Sequence, residues 1–247
     1  MKLNNLFTIF NPKSLQSEGY RMLRTNLQFA SAGKDLRSIV VTSSTPGEGK
    51  STTSINLAVT LAQADNEVLL VDCDLRKSGL HKYLRLSNSK GLSGFLAGMD
   101  SLEDVIQKTQ VDRLNIITAG PLPPNPAELL GSVTMERFLK TIRNQYDFVI
   151  LDCPPVVALT DGAVLSASSD GTVLVVASGE TPIEVAQTAK ENLQKVGANL
   201  LGVVLNKTKI DQENYYYYDY NSSKENEEKN PTAEGKRKPR KKKRSMV

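Results

Sequence analysis

Short apolar, β-branched runs alternate with amphipathic stretches along this chain, a pattern that predicts βαβ units around a mainly parallel sheet. Five runs read as strands: SIVVTS at 38–43, EVLLVD at 67–72, LNIITA at 114–119, FVILD at 148–152 and TVLVVA at 172–177. LLGVVLN at 200–206 makes a sixth. Their hydrophobicity is nearly unbroken rather than alternating, which predicts strands covered by helices on both faces. Helices are predicted over Ser14 to Ala30, with apolar Leu15, Met22, Leu23 and Leu27, and over Lys50 to Ala64. Another is predicted at Thr181-Pro182-Ile183-Glu184, which has the spacing of a capping box with Pro at the first helical position. The apolar periodicity stops after Asn206. From about Asp211 onward the chain is polar, then Tyr-rich, then basic, and is expected to be a disordered tail.

Composition sharpens this picture. At 247 residues, 39% hydrophobic and 23% charged, the chain can bury one substantial core, so disorder throughout is excluded. The net charge of +4 suggests a polyanion-binding protein until it is located. Residues 221–247 hold ten of the 31 Lys/Arg and four of the 27 Asp/Glu, leaving 21 basic and 23 acidic residues for 1–220. The globular part is therefore not basic, and nucleic acid is an unfavoured partner. With only two Cys, Cys73 and Cys153, the expectation is a reducing compartment, no disulfide framework and buried apolar roles for both thiols. No apolar run reaches membrane-spanning length, and the run near the start is short for a signal peptide. The expected location is cytoplasmic, with any membrane role requiring a partner. His81 is the sole His, in a segment that reads as a loop, and is a poor candidate for catalysis.

The chemistry concentrates at SSTPGEGKSTT, 43–53, directly after a buried strand and directly before a helix. Gly47 and Gly49 permit backbone conformations closed to other residues, so successive N–H groups can turn inward on a phosphate. Lys50 would neutralise β/γ-phosphate oxygens, Ser51 would offer its hydroxyl to Mg²⁺, and the helix N-terminus adds partial positive charge. The usual P-loop pattern has Gly where this chain has Ser44. Two further strands end in acidic residues, LLVDCDLR with Asp72, Asp74 and Arg76, and FVILDCPP with Asp152. Strand C-terminal ends are where open α/β sheets bind ligands, and a carboxylate there can hold Mg²⁺ directly or through water.

These residues together resemble the bacterial tyrosine kinases of capsule and exopolysaccharide synthesis, in the form whose kinase is separate from its membrane activator. The resemblance runs from about Ser14 to the tyrosines at 215–220. PGEGKST (46–52) is similar to the family's Walker A motif, LLVDCDLR (69–76) to its Walker A′ and VILDCPP (149–155) to its Walker B. The aspartate pair and Arg of A′ discriminate the family from ordinary P-loop ATPases. SEGYRMLRTNLQF (17–29) is similar to the family's N-terminal helix, and PLPPNPAELL (121–130) to its characteristic loop and helix start. Partitioning and septum-positioning ATPases carry an additional Lys at the place of Thr45.

The resemblance implies a P-loop fold divided into an N-terminal self-association segment (1–36), a kinase domain (37–210), a tyrosine cluster (211–220) and a basic tail (221–247). It implies ATP and Mg²⁺ as cofactors, with Gly47, Glu48, Gly49, Lys50, Ser51 and Thr52 around the phosphates and Asn206 at the adenine. Ser51, Asp74 and Asp152 would hold Mg²⁺. Asp72 is the first choice to deprotonate the incoming tyrosine, with Asp74 its rival. Glu18, Arg21 and Arg24 would mediate a homo-oligomeric ring. Tyr215, Tyr216, Tyr217, Tyr218 and Tyr220 would be phosphorylated between subunits. Implied partners are a membrane-anchored activator and an opposing tyrosine phosphatase, with recruitment to the inner face of the cell membrane. KRKPRKKKR at 236–244, eight positive charges in nine positions, could add contact with anionic lipid. A P-loop ATPase switch without tyrosine kinase activity is the alternative.

Overall fold

The computed structural model describes residues 6–30 and 35–209. The chain opens with two helices, α1 (Phe7–Phe10) and α2 (Leu15–Ala30). Strand β1 (Ser38–Ser43), helix α3 (Lys50–Ala62) and strand β2 (Val68–Asp72) form the first βαβ unit. Short helices α4 (Leu80–Leu84), α5 (Leu92–Leu96) and α6 (Leu102–Val105) lead to strands β3 (Ile106–Lys108) and β4 (Leu114–Ile117). Then come α7 (Pro126–Leu130), α8 (Val133–Arg143), β5 (Phe148–Asp152), α9 (Asp161–Ser168), β6 (Gly171–Ala177), α10 (Ile183–Lys195) and β7 (Leu200–Asn206).

Among the described residues the strands form one seven-stranded sheet in the order β3-β4-β2-β5-β1-β6-β7. All neighbours run parallel except β3 against β4, where Ile106 lies opposite Ile117. β1, β2 and β6 are buried at every position, as their unbroken apolar sequences require. On one side of the sheet, Ile39, Val41, Leu70 and Ile150 pack with α3 residues Ile55, Leu57 and Val59, with Leu6 just before α1 and with Leu27 of α2. On the other, Val40, Leu69, Val71 and Leu151 pack with Phe138, Leu139 and Ile142 of α8. Each such side chain contributes roughly 1.5–3 kcal/mol by leaving water.

Several sequence expectations need correction. β3 is an added strand: its IQK sequence is too short and polar to signal one, and it exists through pairing with β4. The 114–119 run is strand only to Ile117, although Thr118 and Ala119 stay buried. β7 is not covered on both faces; it is an edge strand whose Val203 and Leu205 are exposed. His81 is in helix α4 rather than a loop. The capping box does not form either. Pro182 is the N-cap of α10, without a side-chain cap, and the Thr181 hydroxyl turns instead to the Glu48 carboxylate.

At the sheet's N-terminal end, Asp170 closes the core. Its Oδ2 accepts from Arg37 N at 3.1 Å, Ser38 N at 2.7 Å and Ser38 Oγ at 2.8 Å, while Oδ1 lies 3.2 Å from the Arg143 guanidinium. This ties the starts of β1 and β6 to the end of α8. Asp170→Ala should therefore lower unfolding free energy by about 2–3 kcal/mol, the scale of lost hydrogen bonds to a charged group. The urea midpoint measures it; an unchanged midpoint would show that water replaces these contacts at no cost.

Candidate active site

The opposite, C-terminal end of the sheet gathers the predicted site residues. β1 ends at Ser43, the chain turns through residues 44–49, and α3 starts at Lys50. Gly47 has φ +89° and Gly49 φ +98°, left-handed values that glycine adopts without steric cost. A Cβ on Gly49 would also lie 2.1 Å from Asn206 Nδ2, so the loop is packed as well as turned. Ser44 is absent from the left-handed residues, which is why the glycine of the usual pattern can be replaced there. Its hydroxyl is buried without a partner among the described residues.

Glu48 locks the loop. Its Oε2 accepts from Thr45 N at 2.8 Å, its Oε1 from the Thr181 hydroxyl, and its backbone carbonyl from Asn206 Nδ2 at 2.8 Å. The Glu48 side chain is thus turned into the protein, and Asn206 joins the P-loop to the end of β7. The adenine contact expected of Asn206 would have to share that side chain.

β2 and β5 run side by side in register, so Asp72 stands directly opposite Asp152. Lys50 Nζ lies 2.9 Å from Asp74 Oδ2 and 3.9 Å from Asp152 Oδ1, with Ser51 Oγ 3.5 Å away. All three charged groups are largely buried. Burial alone would push the Lys50 ammonium down, but Asp152 and then Asp74 overcome it and hold its pKa above the ordinary value. Burial raises Asp152, against the opposing pull of Lys50 and the hydroxyls of Ser51 and Ser54. Asp72 is pushed up to about 7, first by burial and then by the Asp152 carboxylate. Both its oxygens are engaged: Oδ1 accepts from Asp74 N at 3.2 Å, and Oδ2 from the Gly79 and Leu80 amides, each at 3.2 Å. Asp74 Oδ1 accepts from Lys77 N at 3.0 Å, so the two aspartates fold the 73–80 segment into a closed loop.

An AAA domain family matches residues 36–202. The tyrosine-protein kinase YwqD of Bacillus subtilis (strain 168) is 44% identical over 214 residues, covering 87% of this chain and 90% of that protein. The chain belongs to the bacterial tyrosine-protein kinase family. The crystal structure of the chimerical protein CapA2B2 superposes with a TM-score of 0.81 at 40% identity, over 85% of this chain and 92% of that one. The kinase domain of Escherichia coli tyrosine kinase ETK gives 0.79 at 35% identity, over 83% and 82%. By contrast, the septum site-determining protein MinD of Pyrococcus horikoshii OT3, complexed with Mg-ADP, gives 0.60 at 27% identity over 69% of this chain and 70% of that one.

For a tyrosine kinase of this family, the structure brings together Gly47, Glu48, Gly49, Lys50, Ser51, Asp72, Asp74, Asp152 and Asn206. Glu18, Arg21 and Arg24 lie apart, on α2. Arg21 pairs with Glu18 at 2.7 Å, and Arg24 donates to the Thr60 carbonyl of α3 at 2.9 Å. The tyrosines at 215–218 and 220 and the basic tail lie outside the described residues. Two site residues escaped the sequence reading. The Ser54 hydroxyl sits 3.0 Å from Asp152 Oδ1 and 2.9 Å from the Lys50 carbonyl, sharing its proton between them. Its signal was its place one turn after Lys50 on α3. The other is Asp161, buried at the start of α9, whose carboxylate meets Arg76 at 3.1 Å.

Cys73 and Cys153 are both free and fully buried, directly behind these carboxylates. Burial, followed by the neighbouring Cys153, holds the Cys73 thiol well above its usual pKa, which suits the apolar role expected of it.

The raised Asp72 value has a definite sign. Its folded pKa of about 7 exceeds the ordinary 3.8, so the stability it contributes is complete below the latter and lost as pH rises through the former. In EDTA, Asp72→Asn removes that dependence. Whatever constant offset the altered amide contacts impose, the variant should gain on the unsubstituted protein in urea melts between about pH 4 and pH 7. Parallel curves across that range would contradict a protonation-linked cost at Asp72.

Proposed function

We infer that this protein is an ATP-dependent protein-tyrosine kinase that regulates capsule or exopolysaccharide synthesis. The observation that carries the reading is the meeting of P-loop Lys50 with Asp74 and Asp152, while Asp72 stands opposite Asp152. That arrangement joins an A′ aspartate pair to a phosphate loop, in a chain that matches the tyrosine-protein kinase YwqD over 90% of that protein. Family membership implies use of ATP and Mg²⁺.

The donor set fits Mg²⁺. Ser51, Asp74 and Asp152 offer hard oxygen ligands at the mouth of the P-loop. Among the described residues no three His, Cys, Asp or Glu side chains form a metal cage, so waters and substrate phosphates would have to complete the shell of a bound Mg²⁺. When bound, Mg²⁺ supplies charge compensation to the phosphates. The chain's own residues do the rest. Backbone N–H groups of residues 47–52 orient the phosphates, and the Lys50 ammonium, freed from Asp74 by the competing ligand, neutralises their oxygens. Asp72 is the proposed base. A phenol with pKa about 10 is a poor proton donor to an ordinary carboxylate, and the upward shift of Asp72 narrows that gap. Its Oδ2 is engaged by the Gly79 and Leu80 amides, so meeting a tyrosine hydroxyl requires only that end of the loop to draw back, with the turn at Arg76 staying in place.

The acceptors in this reading are Tyr215 to Tyr218 and Tyr220 of a neighbouring copy, presented in a ring that Glu18, Arg21 and Arg24 help to assemble. Added phosphates beside Asp219 would repel neighbouring tails and limit the assembly. Among the described residues no helix is long and apolar enough to cross a membrane, so recruitment would fall to a membrane-anchored activator, aided by Lys236 to Arg244 on anionic lipid. A tyrosine phosphatase would reset the cluster.

Incubation with ATP and Mg²⁺ followed by phosphotyrosine detection tests the core reading. Lys50→Met should cut incorporation about 100-fold or more while leaving the circular dichroism spectrum unchanged; undiminished labelling would remove Lys50 from the mechanism. Phosphopeptides should map to residues 215–220, and labelling confined to Tyr20, Tyr83 or Tyr146 would contradict the tail as acceptor. Arg21→Ala combined with Arg24→Ala should shift the protein toward monomer in light scattering, and an unaltered mass would give α2 another role.

A further inference from the structure

Arg76, the last residue of the A′ motif, reaches across the site to a residue that no motif includes. Its Nε lies 3.1 Å from Asp161 Oδ2 and its Nη2 3.4 Å from Oδ1, a two-point contact between guanidinium and carboxylate. The two partners differ in setting, with the Arg76 side chain 41% exposed and that of Asp161 1%. A carboxylate so enclosed needs its charge met, and Arg76 is the cation that meets it.

The ground under Asp161 is rigid. A Cβ on the adjacent Gly162 would lie 2.8 Å from the Pro154 carbonyl and 3.3 Å from Thr42 Oγ1, so the start of α9 is pressed against the segment after β5. Thr42 Oγ1 itself donates to that Pro154 carbonyl at 2.7 Å, tying the segment to β1. The 73–80 loop is anchored from below by Leu75 and Leu80 in the core, but the turn between them is carried on its outer side by no packed element in the contacts described. It is held from within by the Asp72 and Asp74 carboxylates on its amides, and its outer residues Arg76 and Lys77 are exposed.

We propose that Arg76 and Asp161 form a clasp that pins the A′ loop to the α9 block and so sets the position of Asp72 and Asp74 during phosphoryl transfer. Both are positioning residues. Neither touches Lys50 or the P-loop in the contacts described, and their effect runs through the loop that the two aspartates fold. The pair also couples two parts of the site distant in sequence: strain or displacement at the start of α9 reaches the A′ carboxylates through one side chain. This inference rests on the kinase reading for its catalytic consequence, but the clasp itself is a statement about the loop.

The test uses the full chain and three variants, Asp161→Asn, Arg76→Gln and Arg76→Lys, with two readouts. The first is limited trypsin digestion, following cleavage after Lys77, a bond present in every variant. Asp161→Asn and Arg76→Gln should be nicked there about tenfold faster than the unsubstituted protein, and Arg76→Lys, which retains the cation, by about threefold or less. The second is phosphotyrosine formation: kcat should fall about tenfold in the first two variants with KM for ATP within about twofold, and Arg76→Lys should recover most of the rate. Equal nicking across the set overturns the clasp. Faster nicking with an unchanged kcat overturns the positioning role, and a parallel rise in KM with loss of the native melt marks a merely structural contact and overturns it too. If Asp161→Asn fails to fold, the exposed Arg76 variants decide alone. If the unsubstituted chain makes no phosphotyrosine, the kinase reading fails while the nicking rates still judge the clasp.

Discussion

A single ammonium faces three buried carboxylates, and the C-terminal end of the sheet is organised around that imbalance. Lys50 lies against Asp74 and Asp152, while Asp72 is forced beside Asp152 by the register of β2 and β5. Full ionisation of all three acids in so dry a place would leave net negative charge without a partner, which is costly. Burial and the adjacent Asp152 carboxylate relieve this by raising the proton affinity of Asp72, against the Leu80 amide, which favours its charged form. The residual charge is what would suit the site to the divalent cation of the proposed reading. In the proposed reading, stability and ligand affinity are thus opposed through the same atoms: the carboxylates whose crowding is costly are the ones that would receive a divalent cation.

The sheet makes the imbalance unavoidable. β2 and β5 are parallel neighbours paired residue for residue from Val68–Phe148 to Asp72–Asp152, and their interiors are apolar and buried on both faces. A one-residue slip would turn every buried side chain to the opposite face, so the register that satisfies the core also fixes the spacing of the acids. Cys73 and Cys153 follow directly after the acids as small, fully buried groups, where a larger side chain would disturb both strand ends.

Most of this was legible in the sequence because it depends on local rules. The runs at 38–43 and 148–152 are strands at the expected residues, and Lys50 starts α3 as the P-loop pattern requires. What was not legible depends on partners far along the chain. IQK at 106–108 becomes a strand through pairing with β4, not through its own propensity. Thr181 has capping-box spacing but its hydroxyl finds Glu48, 133 residues away, and the cap is lost. Asp161 looks in sequence like an ordinary first-turn helix residue, which is one of the roles it has, and only the fold brings Arg76 to it. Carboxylates announced themselves at strand ends; the groups that hold them in place did not.

Those supporting contacts share a logic. The P-loop is fastened by Thr181, just before α10, and by Asn206, the last residue of β7, and the A′ loop by Asp161 at the start of α9. Both fasteners come from the part of the chain that follows β5, whereas the chemistry-bearing residues come from β1, α3, β2 and β5. A phosphate loop and an acid loop built on adjacent strand ends have no lateral support from the strands themselves, because loops leave the sheet where its hydrogen bonding stops. Elements added later in the chain supply that support. Substitutions in α9 or at the α10 boundary should therefore act on catalysis without touching the reacting groups, and the two loops need not respond together, since each has its own fastener.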